Sequence, residues 1–219
     1  MTYKANSLFQ LDNARFMAAL EQMGVSGDEA SLSQLEKFVN ILNKWNKVYN
    51  LTAIRDPAQM VTLHLLDSLA IQPYLEGVDV LDVGSGAGIP GIPLAVFNPE
   101  KNFTLLDSNS KKTRFIAQAA IELGLKNVKV VTSRVENFLP EKTFDTVVTR
   151  AFASIDKILL LTGKLYSENG TVLLMKGVVP EQELARLPEN FNLKQVVRLA
   201  VPGLIGERHI ISLSHCGRS

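Results

Sequence analysis

The chain has a single cysteine, Cys216, among its 219 residues, so no internal disulfide framework can staple the fold and no thiolate cluster can hold zinc. A reducing compartment fits that usage. Histidine is equally scarce: only His64, His209 and His215 occur, and no metal site is expected from them. His64 and Asp67 lie three apart on one helical face; a metal pair is one reading of them, and a hydrogen-bonding or packing role is the favoured one. No run approaches the roughly 18 to 20 apolar residues of a membrane span. Residues 1–10, with Lys4, Asn6 and Ser7, do not resemble a secretory leader. A soluble, cytoplasmic chain with no membrane partner is the expectation. There is also no excess of one charge. Twenty-three Lys and Arg balance twenty-two Asp and Glu to a formal +1, so any contact with nucleic acid has to come from a local patch.

At 46% hydrophobic, the chain can bury one large core. Over residues 32–49, Leu35, Phe38, Val39, Leu42, Trp45 and Val48 recur at helical spacing with charged residues between them. That spacing makes Trp45 a packing residue ahead of a stacking platform. Residues 59–73 repeat the pattern after Asp56 and Pro57, a capping residue and a first-turn proline. From Gly77 onward, short Val-, Leu- and Thr-rich runs at 78–83, 102–107, 127–132, 144–149 and 171–175 alternate with helical segments. Alternation of this kind predicts a doubly wound, mostly parallel α/β sheet. Two late apolar stretches, 193–201 and 209–213, are joined by turn residues including Pro202, Gly203 and Gly206, and are expected to pair as a hairpin. No repeat or low-complexity linker is found. The expected organisation is a helical extension over residues 1–75 packed on a sheet domain over 76–219.

The most informative segment runs from Val80 to Gly91, where Asp82 is followed by Gly84, Gly86, Gly88, Ile89, Pro90 and Gly91 at the end of a buried strand. Alternating glycines permit positive φ and let a ligand approach the backbone. Gly86, Gly88 and Gly91 also match the dinucleotide fingerprint, so a nicotinamide cofactor is one candidate and an ordinary glycine-rich turn another. Asp82 favours a third. A pyrophosphate on a helix N-terminus is poorly served by a carboxylate beside it, whereas the ammonium of a sulfonium nucleoside is well served. S-adenosylmethionine is therefore the expected cofactor. Asp107, closing the second strand, stands where such folds hold ribose hydroxyls.

Taken together, residues 82–93, 105–108 with Lys111 and Lys112, and 149–154 resemble the glucose-inhibited division protein B (RsmG) family, bacterial small-subunit rRNA 7-methylguanine methyltransferases. The resemblance continues through residues 45–52, 64–68, 175–177 and 206–209 and so covers nearly the whole chain. It implies cofactor contacts at Gly84, Ile89, Val135, Glu136 and Arg150. It also implies a 16S rRNA target, the guanosine at position 527, in the 30S subunit or its precursor. Read physically, Val135 and Glu136 stand at a strand-to-helix junction suited to an adenine, and a plain helix start explains them too. Arg150 follows the strand expected over 144–149, at an end where a guanidinium can meet the cofactor carboxylate or an RNA phosphate, or form a structural salt bridge.

Two signatures are missing: an Asn-Pro-Pro-Tyr-like run for an exocyclic amine, and a Pro-Cys pair for a pyrimidine ring. Guanine N7 carries a lone pair and no proton, so its methylation needs alignment and no general base. No catalytic residue is assigned with certainty; Arg150, Lys176 and Arg208 are the candidates. Lys44, Lys47, Arg55, Lys111, Lys112 and Arg114 join Lys176 and Arg208 as candidate RNA contacts, each weighed against an ordinary surface charge. The expected acting form is a monomer. Three rivals stand beside this reading: a methyltransferase for protein or small molecules, a nicotinamide-dependent oxidoreductase, and a cofactor-free scaffold.

Overall fold

A computed structural model describes residues 8–150 and 153–215; Lys4, Asn6, Ser7 and Cys216, named above, and two residues of the 149–154 motif lie outside them. Helix α1 (Asn13–Gln22) starts where Asp12 accepts the Arg15 amide at 3.0 Å. Helix α2 (Glu29–Tyr49) starts one turn earlier than apolar spacing alone suggests. The cause is a reciprocal cap, in which Asp28 accepts the Ser31 amide at 2.8 Å while Ser31 Oγ accepts the Asp28 amide at 3.3 Å. The helix stops at Asn50, which turns left-handed at φ 49°.

The helix expected over 59–73 is instead four short pieces: α3 (Pro57–Met60), a π-helix (Val61–Leu66), α4 (Asp67–Leu69) and a 3-10 turn (Gln72–Tyr74). Asp56 caps α3 through the Ala58 amide as expected. The Asp67 amide reaches back to the Thr62 carbonyl, five residues earlier, which widens this turn and offsets everything after it.

Strands and helices then alternate: β1 (Asp79–Val83), α5 (Gly91–Phe97), β2 (Asn102–Asp107), α6 (Ser110–Leu123), β3 (Val128–Thr132), β4 (Phe144–Thr149), α7 (Ile155–Thr162) and β5 (Tyr166–Lys176). A single turn, α8 (Glu181–Leu184), precedes β6 (Phe191–Arg198) and β7 (His209–His215). The sheet order is β3-β2-β1-β4-β5-β7-β6, with β1 to β5 parallel and β7 antiparallel to both neighbours. The doubly wound sheet and the late hairpin are thus as expected, although β6 ends at Arg198 and leaves Leu199 and Val201 in the connecting loop. β5 begins five residues earlier than its apolar run, because the polar segment after Tyr166 carries no strand signal of its own.

Side chains alternate across the sheet. Val80 and Leu105 face a cluster shared with Leu35, Phe38 and Leu42 of α2 and Phe115 of α6, while Leu81 and Leu106 face Ile158 and Leu159 of α7. Each such side chain contributes roughly 1.5–3 kcal/mol on burial. Trp45 packs edge-on against Phe115 with ring centroids 5.6 Å apart, a joint between α2 and α6. The strand order reverses between β1 and β4, and ligands in open sheets of this kind bind beyond the carboxyl ends at that point.

Candidate active site at the carboxyl edge of the sheet

The chain leaves β1 in a loop whose Gly84, Gly86 and Gly88 sit at φ 75°, 57° and 76°, a region that side chains with a Cβ avoid. The amides of Gly84 and Ser85 both bond the Leu106 carbonyl, at 2.8 and 3.1 Å. Asp107 completes the tether: Oδ2 accepts from the Gly86 amide at 2.9 Å and Oδ1 from the Asn109 amide at 2.8 Å. Its carbonyl also accepts the Ser133 amide at 3.2 Å, so the ends of β1, β2 and β3 are linked through one residue. That bracing role for Asp107 was not read from the sequence. It leaves acceptor capacity, since each carboxylate oxygen has a second lone pair.

Asp82 is 1% exposed. Its Oδ2 accepts from the Gly91 amide at 2.9 Å, at the start of α5. Its Oδ1 is buried with no partner among the described residues. Burial pushes the carboxyl up to about 7 and the negative Asp107 adds to this, against the Gly91 and Ser85 hydrogen bonds and the positive Arg150. Two glycines show how tightly one side of the loop is packed and how open the other is. A Cβ on Gly91 would lie 2.7 Å from both Asp82 Oδ2 and Leu105 Cγ, whereas one on Gly86 would meet nothing closer than 3.8 Å. Ile89 is buried beneath the loop. Val135 and Glu136 form a 3-10 turn beyond β3, half-buried and exposed respectively, on the same edge but further out than β2.

These residues fit a sulfonium nucleoside. An orphaned, buried carboxylate oxygen is an acceptor waiting for an ammonium, and the open side of Gly86 admits a ligand to the backbone. Two buried acids under the loop oppose a pyrophosphate there.

A second cluster adjoins the first. Asp67, wholly buried, accepts from Arg208 Nε at 2.6 Å on Oδ1 and lies 3.5 Å from Arg150 Nη1 through Oδ2. Arg150 Nη1 also donates to the Leu63 carbonyl at 3.2 Å, in the π-helix. His64 turns away from Asp67, with Nε2 against Thr52 Oγ1 at 2.9 Å and Nδ1 against the Leu63 carbonyl at 3.0 Å. Burial first and Arg150 second push that imidazole down to about 4. Asn46 anchors the same corner, accepting the Thr52 amide at 2.9 Å and donating to the Ile54 carbonyl at 3.1 Å. Residues from 45–52, 64–68, 150 and 208 therefore converge.

Lys176 donates to the Ala153 carbonyl at 3.0 Å, and His209 opposite it contacts the Gly177 carbonyl at 2.9 Å. Lys44, Lys47, Arg55, Lys111 and Arg114 are exposed, Arg55 bonding Asn50 at 2.8 Å, while Lys112 is half-buried in the first turn of α6. The role of Asp67 as counter-ion to two arginines escaped the sequence reading. The available signal was an acid flanked by Leu65, Leu66 and Leu69, which buries a charge that must find a partner.

Comparison with known proteins accords with this geometry. The GidB family profile, described as rRNA small subunit methyltransferase G, matches residues 31–211. A relative from Shewanella amazonensis is 50% identical over 194 residues, spanning 89% of this chain and 94% of that protein. One from Pseudomonas aeruginosa is 53% identical over 194 residues, spanning 88% and 91%. Both are called ribosomal RNA small subunit methyltransferase G. Among solved structures, the O-methyltransferase TomG from Streptomyces achromogenes in complex with SAM aligns over 95% of this chain and all of that one, with TM-score 0.59 and 15% identity. A SAM-dependent methyltransferase from Aquifex aeolicus covers 80% of this chain and 98% of its own, with TM-score 0.56 and 20% identity. These two likenesses establish the fold.

Proposed function

Because the chain belongs to the GidB family of rRNA small subunit methyltransferase G proteins, we propose that it is an S-adenosylmethionine-dependent enzyme that methylates N7 of a guanosine in 16S rRNA, position 527 by family resemblance. The observation that carries the cofactor assignment is the unpartnered Oδ1 of Asp82 beside the open face of Gly86. Asp82 would accept from the amino-acid ammonium and Arg150, whose charge acts on Asp82, would meet the carboxylate of the same moiety. Asp107 would add ribose hydroxyls to the two amides it already holds, and Ile89, Val135 and Glu136 would bound the adenine side. When bound, S-adenosylmethionine supplies an electrophilic methyl on a positively charged sulfur.

The protein's remaining task is alignment. Attack by an N7 lone pair on the methyl that the bound donor would supply would need no proton removed, which suits a site whose cations would orient the guanine. Alignment of this kind can supply roughly 7–11 kcal/mol in favourable cases. The A-form major groove hides N7 from side chains, so the target guanine is taken from a loop or extruded. In this reading residues 1–75 are a helical extension that contributes Asp67 to the catalytic domain of 76–219, and the enzyme acts as a cytoplasmic monomer on the 30S subunit or its precursor.

Chemical cleavage at 7-methylguanine in rRNA, with and without the active gene, tests the assignment. A cleavage signal at the target guanosine only when the gene is active is expected; identical patterns in both RNAs sink it.

A further inference from the structure

We propose that Asp67 is a positioning residue for the transfer reaction, a single buried carboxylate that sets the cofactor-side guanidinium of Arg150 and aims that of Arg208 at a phosphate of the RNA backbone. This rests on the function proposed above and extends it to the RNA side of the site. One carboxylate against two guanidiniums leaves the Asp67 cluster formally positive, with Asp82 of the adjoining site acting on Arg150 and not on Arg208. Arg208 bonds Asp67 through Nε alone, so among the described residues its two Nη groups carry no hydrogen bond and remain free to donate. A guanidinium held by one edge presents the other in a fixed orientation, which suits an anion with paired oxygens.

Three chain segments build the arrangement. The π-helix turns Asp67 toward the sheet edge and gives Arg150 a second anchor, the Leu63 carbonyl at 3.2 Å. Arg208 arrives from the loop between β6 and β7, whose neck is closed by the Leu199 amide on the Arg208 carbonyl at 2.7 Å. His64 contributes no competing charge, because burial keeps it neutral at ordinary pH. Lys176, bound to the Ala153 carbonyl at 3.0 Å, lies outside the Asp67 network. Asp67 thus joins the two substrates' anchors, and its loss should be felt by both, whereas loss of Arg208 should be felt by RNA alone.

The test uses the full chain, tritiated methyl donor and small-subunit rRNA from cells lacking the activity. Measured are kcat, the KM for RNA, its dependence on salt, and calorimetric affinity for S-adenosylhomocysteine. For Arg208→Gln, an RNA KM raised about tenfold, a salt slope reduced by about one and an unchanged S-adenosylhomocysteine affinity are expected. For Asp67→Asn, both the RNA KM and the cofactor affinity should worsen, and in the double variant the RNA effects should not add, because both changes remove one interaction. Should Asp67→Asn not fold, Arg208→Lys decides alongside Arg208→Gln, since it keeps the charge and loses the fork: partial recovery of the salt slope without recovery of KM supports the oriented contact. Wild-type RNA KM and salt slope in Arg208→Gln, or strictly additive effects, overturn the proposal. Failure of wild-type enzyme to methylate this RNA at all would instead reject the function on which it stands.

Discussion

Around Asp82 the site is made of backbone: the Gly91 amide on one carboxylate oxygen, the Gly86 and Asn109 amides on Asp107, and glycines at positive φ between them. Around Asp67 it is made of side chains from remote parts of the chain, with Arg208 arriving across 141 residues and Arg150 reaching Leu63 across 87. The first region can form as soon as β1 and β2 pair. The second also needs the N-terminal helices docked on the sheet, so it carries the larger loop-closure cost. The charges differ as well: each acid has one buried oxygen with no hydrogen bond among the described residues, but Asp67 has two guanidiniums as counter-ions and Asp82 has no ion pair there. A buried acid without a counter-ion is open to a cationic ligand and a liability to the fold, while one held between two cations is a joint.

The comparison breaks most visibly at the joint. Replacing Asp67 by Asn leaves two guanidiniums facing a neutral amide in a buried setting, and loss of one partner of such a cluster costs about 3–5 kcal/mol. Urea melts followed by circular dichroism should show it. A loss under about 1 kcal/mol would mean that the arginines hold themselves and that Asp67 is no joint.

At Asp82 the opposite balance is expected. Asn can still accept from the Gly91 amide and no longer has a charge to desolvate, so the ligand-free chain should be no less stable than wild type. Its affinity for S-adenosylhomocysteine should nevertheless fall about 100-fold, equivalent to about 2.7 kcal/mol, on loss of the charge-assisted bond to the ammonium. Calorimetry beside a melt separates the two effects, and a destabilised variant with intact binding would reverse their assignment. Gly91→Ala sharpens the picture from the packed side of the loop. A Cβ 2.7 Å from Asp82 Oδ2 and from Leu105 Cγ should cost about 2 kcal/mol of stability, read from the same melts.

The two regions also differ in how far the amino-acid sequence announces them. Asp82, Gly84, Gly86 and Gly88 are neighbours in the chain, and their chemistry is carried by residue type and spacing alone; the same holds for Asp107 at the end of a Leu-rich strand. The strands of the parallel sheet are legible for the same reason, each being a local apolar run. The π-helix is not, since a single widened turn inside residues 59–73 leaves the apolar spacing of Met60, Leu63, Leu66 and Leu69 nearly unchanged. Without that turn the direction of Asp67 cannot be inferred, nor can a meeting of Asp67, Arg150 and Arg208. The early part of β5 is hidden by its polar residues, and it is a strand because β4 offers a partner at Phe144.

The finest test of the contrast is pH, because the two regions should push stability in opposite directions over one window. Between about pH 4 and 7 the folded chain keeps a proton on Asp82 that the unfolded chain, with an ordinary carboxyl near 3.8, has released; stability therefore falls as pH rises through that range. Between about 6.5 and 4 the unfolded chain protonates a histidine that the fold holds neutral at His64, so stability falls as pH falls. Each group contributes at most about 1.4 kcal/mol per pH unit. Asp82→Asn removes the first slope, so its stability should climb with pH more steeply than that of wild type between pH 4.5 and 6.5, limits set inside about 4 to 6.5. His64→Gln removes the second, and its climb should be shallower. Ligand binding adds an independent sign: an ammonium against Asp82 favours the ionised carboxyl, so affinity for S-adenosylhomocysteine should rise toward pH 7 and level off above it, and should lose that rise in Asp82→Asn. If both substitutions tilted the stability profile the same way, burial of an unpaired acid on one side and of a neutral imidazole on the other would not be what distinguishes the two halves of the site.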